Sequence, residues 1–202
     1  MSGDQLLALI MFAFAGTFTP GPNTTIATIT GANFGLRAAV PHMLGVPVGF
    51  ATMLLAAAAG AAAIVLAFPF AAQVLKWAGV AYLIWLALML ARSSTSGLAQ
   101  LSGPFKLPLT FVQSAAFQYL NPKAWMLSVA TAGAFFAGDS PLTRGALAAV
   151  VFGIAATASI AVWASIGAAL RGWLSRGARL RIFNVVMGLL LGATALWMAL
   201  AQ

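Results

Sequence analysis

The feature that most constrains this chain is a pair of prolines, Pro20 and Pro22, inside a long apolar run. Proline has no backbone N–H, so in a continuous helix these two residues would leave the carbonyls of Gly16 and Phe18 without their usual donors. Gly21 between them adds backbone freedom. In hydrocarbon a broken helix is tolerated only where protein, water or a ligand replaces the lost hydrogen bonds. The cluster therefore predicts an interrupted membrane helix whose freed backbone groups meet something polar.

A second interruption of the same kind stands in the second half of the chain, at residues 121–123 (Asn-Pro-Lys). If the two apolar runs start at Leu6 and Leu109, Pro20 lies fourteen residues into one and Pro122 thirteen into the other. Breaks at corresponding positions of two halves are a sequence pointer to a transporter's binding site near the mid-membrane. The alternative is two unrelated proline kinks, which membrane helices also contain. We favour paired breaks that face each other, because each also carries polar side chains.

Composition decides which solvent surrounds these helices. The chain has 202 residues, of which 62% are hydrophobic and 6% charged, with a mean hydropathy of +1.01. A soluble domain has about 25% charged residues, so most of this surface must face lipid. A transmembrane helix needs ~20 apolar residues and a transmembrane β-strand ~10 of alternating polarity. The runs here are long and do not alternate, and they predict an all-α membrane protein.

The apolar runs predict six transmembrane helices, of which the first and fourth contain the two breaks. Three spans precede the polar stretch 92–108 and three follow it, so the second copy of a duplicated three-span unit must be inverted. We therefore predict a single integral membrane domain, residues 1–202, built from two inverted three-helix repeats, 1–91 and 109–202. The predicted spans are residues 6–30, 39–66, 70–91, 109–136, 142–170 and 182–200.

The distribution of Lys and Arg predicts the orientation. Six spans place both termini on one side, and the side with more basic connections is cytoplasmic. Seven basic residues fall in the connections after spans 1, 3 and 5 and two on the opposite side, so the stretch 92–108 should be cytoplasmic and both termini outside. The seven are Arg37, Arg92, Lys106, Arg171, Arg176, Arg179 and Arg181, and the two are Lys76 and Arg144.

Several function classes are unlikely on residue types alone. The net charge of +8 is spread singly or in short connections, which does not indicate a nucleic-acid partner. The absence of cysteine removes disulfides, thiolate nucleophiles and iron–sulfur clusters, and a single histidine removes a bis-histidine haem. Both acids, Asp4 and Asp139, lie near span ends, so we expect no enzyme, no cofactor and no metal site. Because Asp4 stands where a signal peptide would be basic, we expect a retained first span.

The first break suits a ligand that carries both charges. Residues 22–30 form a half-helix whose first N–H groups carry partial positive charge and can receive a carboxylate. The carbonyls of Gly16 and Phe18 could accept an ammonium group, and Asn23 can both donate and accept. Together these groups predict an α-amino acid as the substrate.

The second break adds a cation. Inserting a lysine such as Lys123 within a span costs ~2.5–3.5 kcal/mol of free energy, so we expect it to face a wet cavity or an anion. The alternative is a lysine that snorkels to the membrane surface. Gln118, whose carbonyl Pro122 releases, is expected to line the same cavity. His42 is the candidate for proton coupling, although such a histidine is more often simply hydrogen-bonded at an interface. The candidate substrate-binding residues are Pro20, Gly21, Pro22, Asn23, Gln118, Asn121, Pro122 and Lys123.

Four segments carry a resemblance to a known family: residues 18–23, Gly35-Leu36-Arg37 followed by Gly45 and Gly49, residues 77–83 and residues 120–124. With them the chain resembles, over essentially its whole length, the lysine-exporter (LysE/RhtB) family of bacterial amino-acid exporters. Residues 18–23 and 77–83 look most similar to the cysteine and O-acetylserine exporters of that family. The resemblance implies an inner-membrane secondary transporter, an antiporter that expels amino acids or their derivatives and is driven by the proton gradient.

The chain departs from the family pattern in its second span. Many relatives carry an acidic residue there, whereas residues 39–66 contain no Asp or Glu. A neutral or small amino acid therefore fits better than a cationic one, and the site of proton coupling stays open. The main alternative function is a non-transporting membrane scaffold or a subunit of a larger complex, which would leave two polar, broken helices unexplained; a passive channel is a further one. The expected partners are an amino acid and membrane lipid, and a homo-oligomer is compatible with the sequence.

Overall fold

The computed structural model describes residues 1–60, 69–92, 107–138 and 140–200, and all regular secondary structure in these ranges is helical. The all-α fold class is thereby confirmed. Several sequence predictions lie outside the described residues: the end of the second span, most of the connection 92–108 with Lys106, and Asp139.

Eight α-helices occur in the described ranges, and a 3-10 helix, Leu36–Ala39, leads into the third of them. Proline occupies the first turn of the second, third, sixth and seventh helices, where its missing N–H costs no intrahelical hydrogen bond. The helices are α1 (Gly3–Phe18), α2 (Pro22–Phe34), α3 (Val40–Ala58), α4 (Pro69–Ala91), α5 (Phe111–Leu120), α6 (Pro122–Phe135), α7 (Pro141–Leu174) and α8 (Arg179–Leu200).

Among the described residues, not every predicted span corresponds to a single helix that is long enough to cross a membrane. Three helical segments could cross a membrane by length and composition: Leu36–Ala58, α7 and α8. Helices α1 and α2 form a fourth candidate if they are counted as one span bent by 53°. Helices α5 and α6 have 10 and 14 residues, fewer than the ~20 that a span needs, because Asn121 separates them.

The first broken span extends further than the sequence suggested. We expected it to end near Thr30 and a polar connection to follow, but α2 continues to Phe34. The side chain of Asn33 donates both to the carbonyl of Ile29, at 3.0 Å, and to Oδ1 of Asn184 on α8, at 2.9 Å. The polar residues of this segment are therefore satisfied within a packed helix, and they do not mark a loop.

Helix α7 is the element on which the first half of the chain packs, because α1, α2 and α3 all contact it. The approach of α2 to α7 is close: a Cβ added to Gly31 would lie 2.1 Å from the carbonyl oxygen of Ala164, and one added to Gly167 would lie 2.0 Å from that of Thr28. Small residues allow such backbone contacts between membrane helices. Helix α3 also packs against α5, and α4 packs against α8. These contacts hold the N-terminus of α2 and the C-terminus of α5 on the same side of α3.

Candidate substrate site

The two helix breaks are in direct contact. Helix α1 ends at Phe18 and α2 begins at Pro22. In the first turn of α2, Nδ2 of Asn23 donates to Oε1 of Gln118 at 2.8 Å, and Nε2 of Gln118 lies 3.3 Å from Oδ1 of Asn23. Gln118 belongs to the last turn of α5, immediately before the second break at Asn121. The paired amides therefore join one break to the other.

A cavity lies where the breaks meet, with an empty volume of about 460 Å³ that includes its open mouth. Five of the residues proposed from the sequence line this cavity, namely Gly21, Asn23, Gln118, Asn121 and Lys123.

The other four proposed residues do not line it. Pro20 is exposed, Pro22 is buried at the start of α2, Pro122 begins α6, and His42 lies behind the cavity wall. The prolines thus shape the breaks by ending helices, and they do not present side chains to the cavity.

Three polar lining residues were missed by the sequence reasoning: Thr17, Thr24 and Ser159. Thr17 and Thr24 flank the first break, so their proximity to it in the sequence was a usable signal. Ser159 belongs to α7, inside a run of small residues, and nothing in its local sequence distinguishes it. Its role follows only from the packing of α7 against α1.

The backbone carbonyls at the first break are largely taken up by side chains. The carbonyl of Thr17 accepts from Oγ of Ser159 at 2.8 Å, and that of Phe18 accepts from Nε1 of Trp163 at 3.3 Å. The sequence offered the Phe18 carbonyl to a ligand's ammonium group, and the structure shows that an indole N–H from α7 already takes one of its two acceptor positions. Gly16, the other residue we named, contributes to the cavity wall.

The carbonyl of Thr19 has a different partner, because it accepts a hydrogen bond from Nζ of Lys123. The stem of Lys123 lies along Gly21, where an added Cβ would be 3.1 Å from Cδ and 3.3 Å from Nζ. Within the described residues the only carboxylate side chain is that of Asp4, in the first turn of α1. Asp4 precedes Thr19 by fifteen residues, about 22 Å along a helix at about 1.5 Å per residue. The cation in the cavity therefore rests on a neutral carbonyl and not on an acid.

The second break resembles the first in how one of its backbone carbonyls is hydrogen-bonded. Nε1 of Trp125 donates to the carbonyl of Tyr119 at 2.9 Å, so an indole satisfies a carbonyl beside each break. The start of α6 is capped, since Oδ1 of Asn121 accepts from the backbone N–H of Lys123 at 3.1 Å. The start of α2 differs, because its N-cap residue, Gly21, has no side chain with which to cap it. Of the two half-helices, α2 has the more open N-terminus.

His42 is 1% exposed and belongs to a closed ring of hydrogen bonds behind the cavity. Its Nε2 lies 3.2 Å from the carbonyl oxygen of Asn23, and its Nδ1 lies 3.0 Å from Oγ of Ser114. A carbonyl only accepts, so Nε2 carries a hydrogen, and in the neutral ring Nδ1 accepts from the Ser114 hydroxyl. Gln118 closes the ring by donating to the carbonyl of Ser114 at 2.9 Å and pairing with Asn23. His42 thus ties α3 to both α2 and α5.

In the part of the chain that the structure describes, no group of three or more His, Asp or Glu side chains could hold a metal ion.

Comparison with known proteins identifies the family. The model of the LysE type translocator family matches residues 14–202. The chain is 31% identical over 196 residues to the cysteine/O-acetylserine efflux proteins of Escherichia coli (strain K12) and of Shigella sonnei (strain Ss046), which covers 95% of this chain and 95% of each relative. No solved structure matches the chain significantly. The chain is a multi-pass membrane protein and belongs to the LysE type translocator family.

Proposed function

We propose that this protein is a secondary active exporter of amino acids or their derivatives, with small or neutral side chains, across the bacterial inner membrane. The observation that carries the proposal is the cavity at the contact of two broken helices, lined by the paired amides of Asn23 and Gln118 and by the cation of Lys123. Ligand sites of transporters are formed by such discontinuous helices. Its relatives' names, cysteine/O-acetylserine efflux protein, agree with this substrate class.

The chemistry of the cavity favours a zwitterion. A carboxylate would be received by the open N-terminus of α2 and by Lys123, since both carry positive charge. The amides of Asn23 and Gln118 can exchange their mutual hydrogen bonds for bonds to a polar ligand at little net cost. The residues that line the cavity include no carboxylate, so a cationic side chain would find no counter-charge there.

The packing supports six spans in two inverted repeats, 1–91 and 109–202. A pseudo-two-fold axis would exchange span 1 with 4, 2 with 5 and 3 with 6. Four sets of helix contacts support this exchange: α3 packs on α7, α4 packs on α8, and each broken span packs on the second span of the other half. Both broken spans also start with the same capping box, Ser2 with Gln5 and Thr110 with Gln113.

For coupling we propose His42. Protonation would turn Nδ1 into a donor and reverse its hydrogen bond with Ser114. His42 bonds the backbone carbonyl of Asn23 and the hydroxyl of Ser114, whose carbonyl accepts from Gln118, so a proton on His42 would act on the cavity through these two residues. We further propose that both termini lie outside and that the arginines where α7 meets α8 face the cytoplasm. Arg171 ends α7, Arg176 lies in the connection, and Arg179 and Arg181 begin α8; all four are exposed, and Arg179 packs 4.7 Å from the ring of Trp173.

Export measurement tests the function. Cells that overproduce the protein should excrete more of at least one labelled amino acid from a panel, and Pro22→Ala should abolish this because the start of α2 would no longer be fixed. Pro141→Ala is the matched control, since Pro141 also opens a helix but is exposed and remote from the cavity. Equal excretion with and without the protein, at normal membrane levels, would instead favour the scaffold. Uptake into inverted vesicles that needs no ion gradient would favour a channel.

A further inference from the structure

The contact between Lys123, which lines the cavity, and the exposed carbonyl of Thr19 joins the two breaks. It differs from the other carbonyl contacts at this break. The carbonyls of Thr17 and Phe18 are held by Ser159 and Trp163, whose side chains are short or rigid and are fixed on one helix. The Thr19 carbonyl is held by the tip of a long, flexible side chain, which can leave without any movement of the backbone.

The group on that carbonyl is an ammonium, the same group that an amino acid carries. We infer that Lys123, through its bond to Thr19, occupies the position of the substrate's ammonium group and leaves it when substrate binds. The inference rests on the proposed function and specifies how the same site selects its substrate. The substrate's ammonium then donates to Thr19, and Lys123 turns to the substrate's carboxylate.

The exchange is favourable because the partner of Lys123 changes from a neutral carbonyl to an anion. The bond to Thr19 is assisted by the charge of Lys123 alone, whereas a bond to a carboxylate adds the attraction between two opposite charges. Lys123 can reach a carboxylate bound at the start of α2. A Cβ added to Gly21, the N-cap of α2, would lie 3.3 Å from Nζ. No described carboxylate competes for Lys123, since Asp4 is at the far end of α1.

The exchange makes the site selective for molecules that have both charges. An amine without a carboxylate would have to displace Lys123 from Thr19 and give it no anion in return. An acid without an amine would draw Lys123 away and leave the Thr19 carbonyl without a donor. Only a ligand with an ammonium and a carboxylate close together satisfies both groups.

Binding of matched ligands to Lys123→Met tests this directly. The full chain, purified in detergent, is titrated with L-cysteine, with cysteamine, which lacks the carboxylate, and with 3-mercaptopropionate, which lacks the amine. The chain has no cysteine, so the thiols cannot form disulfides with it. The same comparison uses L-serine, ethanolamine and 3-hydroxypropionate. Lys76→Met, a lysine on α4 that does not line the cavity, is the control for loss of a positive charge.

In the wild type both single-charge ligands should bind at least about tenfold more weakly than the amino acid, the effect of one hydrogen bond to a charged group. In Lys123→Met the amine should bind about tenfold more tightly than in the wild type, because it no longer has to displace the lysine. The acid should bind about tenfold more weakly than in the wild type, because its cationic partner is gone. Lys76→Met should match the wild type. An amine affinity that is unchanged or weaker in Lys123→Met would overturn the inference, and so would an unchanged acid affinity.

Gly21→Ala supplies a second test. Gly21 has φ 177°, an extended conformation open to alanine, and the new methyl would meet only the flexible end of Lys123. It should push Nζ away from Thr19 and raise amine affinity in the same direction as Lys123→Met; no change would contradict the inference. The proposed function fails separately: if the wild type excretes no amino acid of the panel, the function is wrong. If it does excrete one and the amine shows no gain, only the inference is wrong.

Discussion

The close contact between α2 and α7 gives a quantitative prediction. Gly167 of α7 and Gly31 of α2 face each other across backbone contacts, and a Cβ on Gly167 would lie 2.0 Å from the carbonyl oxygen of Thr28. Real Cβ atoms essentially never come within 3.0 Å of such an atom, so Gly167→Ala requires α2 and α7 to separate by about 1 Å. Since the opposing atom belongs to a backbone, no side-chain rotation can relieve the clash.

The free-energy change combines two terms. Overpacking of a close interface costs about 1–3 kcal/mol, whereas replacing glycine by alanine inside a helix gains about 0.5–1 kcal/mol. The expected net loss is therefore up to about 2 kcal/mol. Gly153→Ala on the same helix is the matched control, because an added Cβ there meets nothing within 4 Å. Gly153→Ala should therefore show only the gain of about 0.5–1 kcal/mol that replacing glycine by alanine gives.

The first assay is thermal unfolding of the purified protein in one detergent, monitored by tryptophan fluorescence. The second assay is amino-acid export in cells. One kcal/mol corresponds to roughly 2–4 °C for a protein of this size, so Gly167→Ala should lower the midpoint by up to about 8 °C and Gly153→Ala should raise it slightly. Export should also fall in Gly167→Ala, because the displaced α2 carries Asn23 into the cavity. A midpoint for Gly167→Ala equal to that of Gly153→Ala would refute the close approach of α2 and α7.

Three further predictions follow from single contacts. Trp163→Phe keeps a ring in place but removes the donor to the Phe18 carbonyl, so the free energy of unfolding should fall by about 1–3 kcal/mol; an unchanged thermal midpoint would mean that the break does not need this bond. His42→Gln should leave amino-acid binding in detergent within about threefold of the wild type, a few tenths of a kcal/mol, but abolish the response of export to an imposed pH gradient; a retained response would remove His42 from coupling. Because the chain has no cysteine, single variants Ser2→Cys and Ser175→Cys can be labelled in intact cells with an impermeant maleimide. We expect Ser2→Cys to react and Ser175→Cys not to, and the reverse pattern would invert the proposed topology.

The sequence alone was sufficient for the class of fold and for the position of the breaks. A charged fraction of 6% with long apolar runs leaves only helices in lipid. The prolines at 20, 22 and 122 disfavour a continuous helix, and their clustering with glycine or asparagine marked the breaks, whereas the isolated Pro47 lies inside α3. These are local properties: they depend on which groups a residue has and on its immediate neighbours. The contact between Asn23 and Gln118 could be anticipated too, because both are polar residues beside a break.

What only the tertiary structure decided is which partner each freed group found. Nothing near Phe18 in the chain indicates that its carbonyl meets Trp163, which is 145 residues away. The partner of His42 could not be read from the sequence either, because Ser114 is 72 residues away. Hydrophobic periodicity specifies that a helix forms, but it does not specify its neighbour, since lipid-facing and helix-facing apolar surfaces are alike in composition. Helix packing therefore determined which carbonyls remained for a ligand.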